Sequence, residues 1–209
     1  MFYSAEARWF FPGDLPDKMV AWFERGSLGV SSPERTDEYL LLPGVSTTSV
    51  KLREGRFEVK VITGELEEVA WSDKIVCAQD TWVKWSRKLS DPGALRELTA
   101  GDDARWIRIA KQRDLRLISL DNEEAVEIEP NTIRLSNGCQ FELTRINLLD
   151  SDAGDLWWSF SFEAFGKPGS IVENLKRGTS HVLGAPPPLP LPKAQSMSYP
   201  QWLNTCTQH

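Results

Sequence analysis

Residues 49–61 read SVKLREGRFEVKV, and the rest of the fold can be worked out from this stretch. Side chains in a strand alternate between two faces. Val50 and Leu52 therefore share one face, and Lys51 and Arg53 share the other. After a turn at Glu54-Gly55, Phe57, Val59 and Val61 oppose Arg56, Glu58 and Lys60. The segment predicts a β-hairpin with one apolar and one charged face. That charged face is either the wet outside of an open sheet or the lining of a closed one.

The same alternation recurs along the chain. In 2–11, Tyr3, Ala5, Ala7, Trp9 and Phe11 oppose Ser4, Glu6, Arg8 and Phe10. Lys111 and Arg113 project together from the long strand or strand pair at 105–120. In 140–146, Phe141 and Leu143 oppose Glu142 and Thr144. In 157–164, Trp158, Phe160 and Phe162 oppose Ser159, Ser161 and Glu163. Further strands are expected at 37–43, at 81–89 (carrying Lys84), and at the short segments EAVEIEP and TIRLS. Helices are expected after Asp14 as cap, after Asp91-Pro92, and over 170–184.

About ten strands and three helices predict one α+β domain on an antiparallel sheet. A sheet of that many strands curls or closes. The apolar faces are rich in Trp and Phe and call for helical cover. If the helices lie outside, the charged faces line an interior, and charge there needs partners or a ligand. The expected fold is thus a closed or nearly closed antiparallel β-barrel, a tunnel with flanking helices, over 1–184. The remainder, 185–209, opens with APPPLPLP. It reads as a proline-rich strap along the domain, ahead of a docking motif for a proline-binding partner.

Bulk composition narrows the function. Net charge is −6, which argues against coating nucleic acid. Yet residues 46–120 hold 14 Lys/Arg against 12 Asp/Glu, so the middle of the chain suits an anionic ligand. Cys77, Cys139 and Cys206 are odd in number and lack metal or disulfide spacing, which fits a reducing compartment. The first residues lack a basic segment followed by an apolar run, and no stretch approaches the ~18 apolar residues of a membrane span. A cytoplasmic protein away from membranes is expected. Nucleophile-elbow, Walker and dinucleotide motifs are absent. Cys77 and Cys139 read as buried structural thiols. Glu127 and Glu129 suit a solvated edge as well as an acid site, and Glu24, Asp102 and Asp103 read as surface charge.

In order and spacing these segments resemble the CYTH-like, or triphosphate tunnel metalloenzyme, superfamily. SAEAR (4–8) resembles its opening Glu-x-Glu-x-Lys strand, with Ser4 in place of the first Glu, Glu6 as the second and Arg8 for the Lys. DEYLLLPG with SVKLREGRFEVKV resembles its tyrosine, Leu-Arg and Lys-ending strands. IAKQR (109–113) resembles its Lys-x-Arg strand, FELTRI (141–146) the strand with a tunnel Glu, and WWSFSFEAFG (157–166) its closing Glu-x-Glu strand, with Ser161 for the first Glu. The likeness spans roughly 2–183.

It implies a metal-dependent hydrolase of a triphosphate-containing compound. Arg8, Lys51, Arg53, Lys60, Lys84, Lys111 and Arg113 would hold phosphates. Glu6, Glu142 and Glu163 would hold Mg2+ or Mn2+, a set reduced by the two serines. The alternative is a non-catalytic barrel binding a phosphorylated or other anionic small molecule. An interaction scaffold using the proline-rich tail ranks below both.

Overall fold

The structure is a computed structural model that describes residues 1–26, 28–64, 67–98, 105–130, 133–150 and 155–206. Asp102 and Asp103 lie outside them. Eight strands close a barrel: β1 (Phe2–Pro12), β3 (Arg35–Leu41), β4 (Thr48–Arg53), β5 (Arg56–Ile62), β7 (Ile75–Lys88), β8 (Arg105–Ser119), β10 (Gly138–Leu148) and β11 (Leu156–Phe165). Their order is β1-β11-β10-β8-β3-β4-β5-β7, and β7 returns to β1 through pairs such as Phe2↔Lys84 and Ala7↔Gln79. Every pairing within the sheet is antiparallel. Three short strands are added: β2 (Val30–Ser31) and β9 (Val126–Ile128) on β8, and β6 (Glu67–Ser72) on β7.

The hairpin at 49–61 forms as its sequence predicts. Glu54 (φ 47°) and Gly55 (φ 73°) both sit at positive φ, as a two-residue hairpin turn requires. Val50 pairs with Val59 and Lys51 with Glu58.

Among the described residues four α-helices complete the fold: α1 (Asp17–Phe23), α2 (Pro92–Leu98), α3 (Ile171–Leu183) and α4 (Tyr199–Cys206). α1 and α3 cover the outer faces of β1, β10 and β11. Trp9, Phe141, Phe160 and Phe162 are fully buried there against Met19, Trp22 and Leu175. α3 lies so close to β10 that a Cβ at Gly178 would stand 2.4 Å from the Cys139 Cβ. Cys77 and Cys139 are both buried, as the sequence suggested.

Some local expectations change. Asp14 does not cap α1; Pro16 occupies the cap position, where its fixed φ suits the entry to a helix. Asp91 does cap α2, accepting from the Gly93 N–H at 2.9 Å. Residues 133–136 form no strand, because the Asp121 carboxylate takes the N–H groups of Ser136 (3.1 Å) and Asn137 (2.7 Å) that a ladder would use. β6 was not foreseen, since its turn at Asp73-Lys74 carries no glycine. Its Trp71 packs 6.0 Å from Trp9.

The tail is more than an outer strap. Leu191 is buried and bridges to Ile75 in parallel. β1 and β7 pair only as far as Ala7 and Gln79. Beyond that point the tail enters the seam, where the Met197 N–H donates to the Arg8 carbonyl and the Ser196 hydroxyl accepts from the Ala78 N–H. The chain then turns into α4 through a capping box. The Ser198 hydroxyl accepts from the Gln201 N–H, and the Gln201 side chain accepts from the Ser198 N–H. α4 plugs one end of the barrel: Trp202 stacks on Phe10 at 4.6 Å, among Ile107, Ile109, Ile146 and Leu148.

Candidate functional site: a charged blind lumen

With one end plugged, the barrel interior is a blind cavity of about 350 Å³, within the range of small-ligand pockets. The alternation of each strand sends its polar face inward. β1 contributes Glu6 and Arg8; β4 Lys51 and Arg53; β5 Glu58 and Lys60; β7 Trp82 and Lys84; β8 Lys111 and Arg113; β10 Glu142 and Thr144; β11 Ser159 and Glu163. All ten site residues expected from sequence line this one cavity. Arg56, placed on the same face in the sequence reading, is exposed and bonds to Ser86 outside it.

Three clusters organise the charge. Asp37 on β3, fully buried, is the hub of the first. It accepts two bonds from the Arg53 guanidinium (3.0 and 3.1 Å) and lies near Arg35 (3.3 Å), Lys111 (3.5 Å) and Lys51 (3.7 Å). Burial pushes its pKa up, but Lys111, Lys51 and Arg53 outweigh this and hold the carboxyl well below the usual range. Burial in turn lowers Lys51 to about 8 and Lys111 well below the ordinary lysine value. Glu58, against burial, is held low by Lys51 at 3.2 Å. The sequence reading named Tyr39's strand but not Asp37. The signal was there in Arg35-x-Asp37-x-Tyr39, three polar residues on one face.

The second cluster is Lys60 with Glu6 and Glu163. The two glutamates are opposite each other on paired strands, and the Lys60 ammonium bonds both, at 3.3 Å to Glu163. Ser4 donates to Glu6 at 2.9 Å. Burial raises Glu163, but Lys60 and Lys84 bring it down to about 2.

The third is Glu142 between Arg113 (2.8 Å) and Arg8 (3.6 Å). Ser161 lies between Arg8 and Glu142 in the strand register. Its short side chain leaves Arg8 room to reach across β11. The Ser161 hydroxyl itself is buried without a protein partner.

These carboxylates do not fit a ready-made divalent site. Mg2+ and Mn2+ favour several oxygen ligands around one point. Here Glu142 is drawn to arginines, and Glu6 and Glu163 already share an ammonium. Among the described residues no three acidic, His or Cys side chains converge on one point.

The lining is well suited to an anion. Eight bases (Arg8, Arg35, Lys51, Arg53, Lys60, Lys84, Lys111 and Arg113) face five acids (Glu6, Asp37, Glu58, Glu142 and Glu163). Aromatic faces support the cations without neutralising them: Lys60 over Trp82 (5.5 Å), Lys84 over Phe2 (4.8 Å) and Lys111 over Tyr199 (3.9 Å). Among the described residues Lys84 makes no ion pair, and Arg113 Nε, Thr144 Oγ1 and Trp82 Nε1 are buried without a protein partner. Such unmet donors are costly unless a ligand or water meets them. The mouth lies at Arg35, Arg53 and Arg113, whose side chains are 19–26% exposed, whereas Lys111 deeper in is 7% exposed.

Outside the lumen, Glu127 forms a largely buried pair with Arg116 on β8, each side chain 13% exposed. No described helix is long and apolar enough to cross a membrane.

No family model matches the chain, and no curated protein matches it. Two solved structures are similar to it. One is a conserved hypothetical protein from Pyrococcus furiosus, 11% identical, with a TM-score of 0.49 over 95% of this chain and 98% of that one. The other is the PH1012 protein from Pyrococcus horikoshii OT3, 14% identical, with a TM-score of 0.46 over 92% and 93%. At this level of likeness neither bears on function.

Proposed function

We propose that the barrel binds a phosphate-bearing anionic small molecule in its lumen. One observation carries this reading: eight bases against five acids surround a single blind cavity of about 350 Å³, and buried donors there lack protein partners. A polyanion such as a triphosphate suits bases spread over several strands, because it presents many acceptor oxygens at once. A monocarboxylate would engage only one or two of them. The three unpaired cysteines support a reducing, cytoplasmic setting. The test is calorimetric titration of the full chain with tripolyphosphate. The reading expects one site per chain whose affinity falls with salt; no heat of binding at low ionic strength sinks it.

A second reading is metal-dependent hydrolysis of a triphosphate compound with Mg2+ or Mn2+. It draws on the juxtaposition of Glu6 and Glu163 across paired strands, and requires the cation to displace Lys60 from between them. Phosphate release from tripolyphosphate that requires either cation would separate it from binding alone.

A further inference from the structure

We infer that the Lys60 ammonium is the resident cation of this lumen: it takes the place between Glu6 and Glu163 that a divalent metal would need, so anion binding proceeds without one. The inference rests on the anion-binding reading.

Four observations lead to it. Glu6 and Glu163 are register partners on β1 and β11, so the backbone forces their carboxylates together. Two carboxylates at that separation repel unless a cation sits between them. Lys60 supplies it from β5, its ammonium bonding both acids while lying 5.5 Å from the centre of the buried Trp82 ring. Ser4 donates to the same Glu6 oxygen, Oε1, that the Lys60 ammonium bonds, and so helps to fix its direction. The acid that would complete a metal ligand set, Glu142, is held by Arg113 and Arg8 instead.

A divalent ion entering this place would meet an ammonium at contact distance and only two carboxylates. It would have to displace Lys60, which would give up both of its ion pairs for an approach to Asp80, the buried register partner of Glu6 on β7. Lys84 is the register partner of Lys60 and repels it. Removing Lys60 reverses the balance. Two adjacent carboxylates are then left without their cation, with Ser4 Oγ beside them, and this arrangement calls for a hard cation with oxygen ligands. Lys60 is thus a positioning residue that fixes which cation the lumen holds.

The test has two arms. In the first, wild-type protein is titrated with tripolyphosphate in the presence of a metal chelator. Binding under chelation supports the inference; binding that appears only when Mg2+ or Mn2+ is added overturns it. In the second, Mn2+ alone is titrated into wild type and Lys60→Met, and the free-ion electron paramagnetic resonance signal is read. Lys60→Met is expected to bind Mn2+ at least about tenfold more tightly than wild type. Equal Mn2+ affinity in the two proteins overturns the inference. If Lys60→Met fails to fold by circular dichroism, Lys60→Arg takes its place: it keeps the charge, so it should exclude Mn2+ and retain tripolyphosphate binding under chelation, and Mn2+ binding by it overturns the inference. If wild type binds no tripolyphosphate in either condition, the anion-binding reading fails, and the Mn2+ arm alone decides the role of Lys60.

Discussion

Asp37→Asn is the substitution that bears hardest on how this lumen is held together. It removes the buried charge that Arg35, Lys51, Arg53 and Lys111 all face. Deleting one partner of a buried ion pair costs about 3–5 kcal/mol, because the other charge is left buried. The lower end applies here. Arg53 and Arg35 are 25% and 19% exposed and recover some hydration, and asparagine keeps one oxygen to accept from Arg53. A loss of about 3 kcal/mol is expected, which a domain stable by about 5–15 kcal/mol survives. The sign of the pH dependence follows from the depressed carboxyl. Ionised Asp37 contributes stability that is fully present above its unfolded value of about 4 and is lost as pH falls through its lower folded value. The wild-type advantage should therefore hold from neutral pH down to about pH 5 and shrink below about pH 4. Urea unfolding followed by tryptophan fluorescence reads this; guanidinium would screen the charges. Tripolyphosphate should also raise the midpoint of the variant more than that of wild type, since four bases lose their internal counter-ion. A loss below about 1 kcal/mol, or an advantage that persists undiminished in acid, would refute the reasoning.

Three further outcomes are expected. Trp202→Ala removes the plug residue stacked on Phe10 and should cost about 3–5 kcal/mol in the same urea assay. Lys84→Ala, which breaks no ion pair, should leave stability within about 0.5 kcal/mol of wild type and weaken tripolyphosphate binding about tenfold by calorimetry. Asp80 is buried with one oxygen unpartnered, and burial lifts its carboxyl to about 6. The folded state therefore holds that proton more tightly than the unfolded chain does, and the stability this gives is lost as pH rises through about 6. Asp80→Asn should be more stable than wild type by about 2 kcal/mol at pH 8, with the gap closing by about pH 4, in paired unfolding curves.

The sequence revealed the strands well where the period of two was unbroken. In SVKLREGRFEVKV, in 140–145 and in 158–163 each apolar residue is followed by a polar one, and apart from Arg56 at the hairpin turn the charged residues of the polar face line the lumen. The curling of the sheet was legible from strand number, and the seam that closes it, β1 on β7, joins segments too distant for any local pattern to announce. The ten expected site residues came together because alternation fixes direction once closure is granted. Asp37 escaped because its strand reads apolar at Leu40-Leu41-Leu42, so its polar start drew no notice. α4 escaped because 185–209 reads as one extended proline-rich strap, although Ser198 followed at the third position by Gln201 is a helix-start signal. TIRLS misled because a side chain, Asp121, takes the backbone groups its ladder would need. The bridging of Glu6 and Glu163 by Lys60 depends on reach across the lumen, which spacing along a strand cannot express.

The central claim is that the lumen is an anion site, and the anomalous scattering of a tungstate-soaked crystal tests it most directly. The account predicts a peak inside the barrel, within contact of Lys84, Arg113 and Thr144, lost when tripolyphosphate is added in competition. Peaks confined to the outer surface, with the interior filled only by water and its own ion pairs, would contradict it.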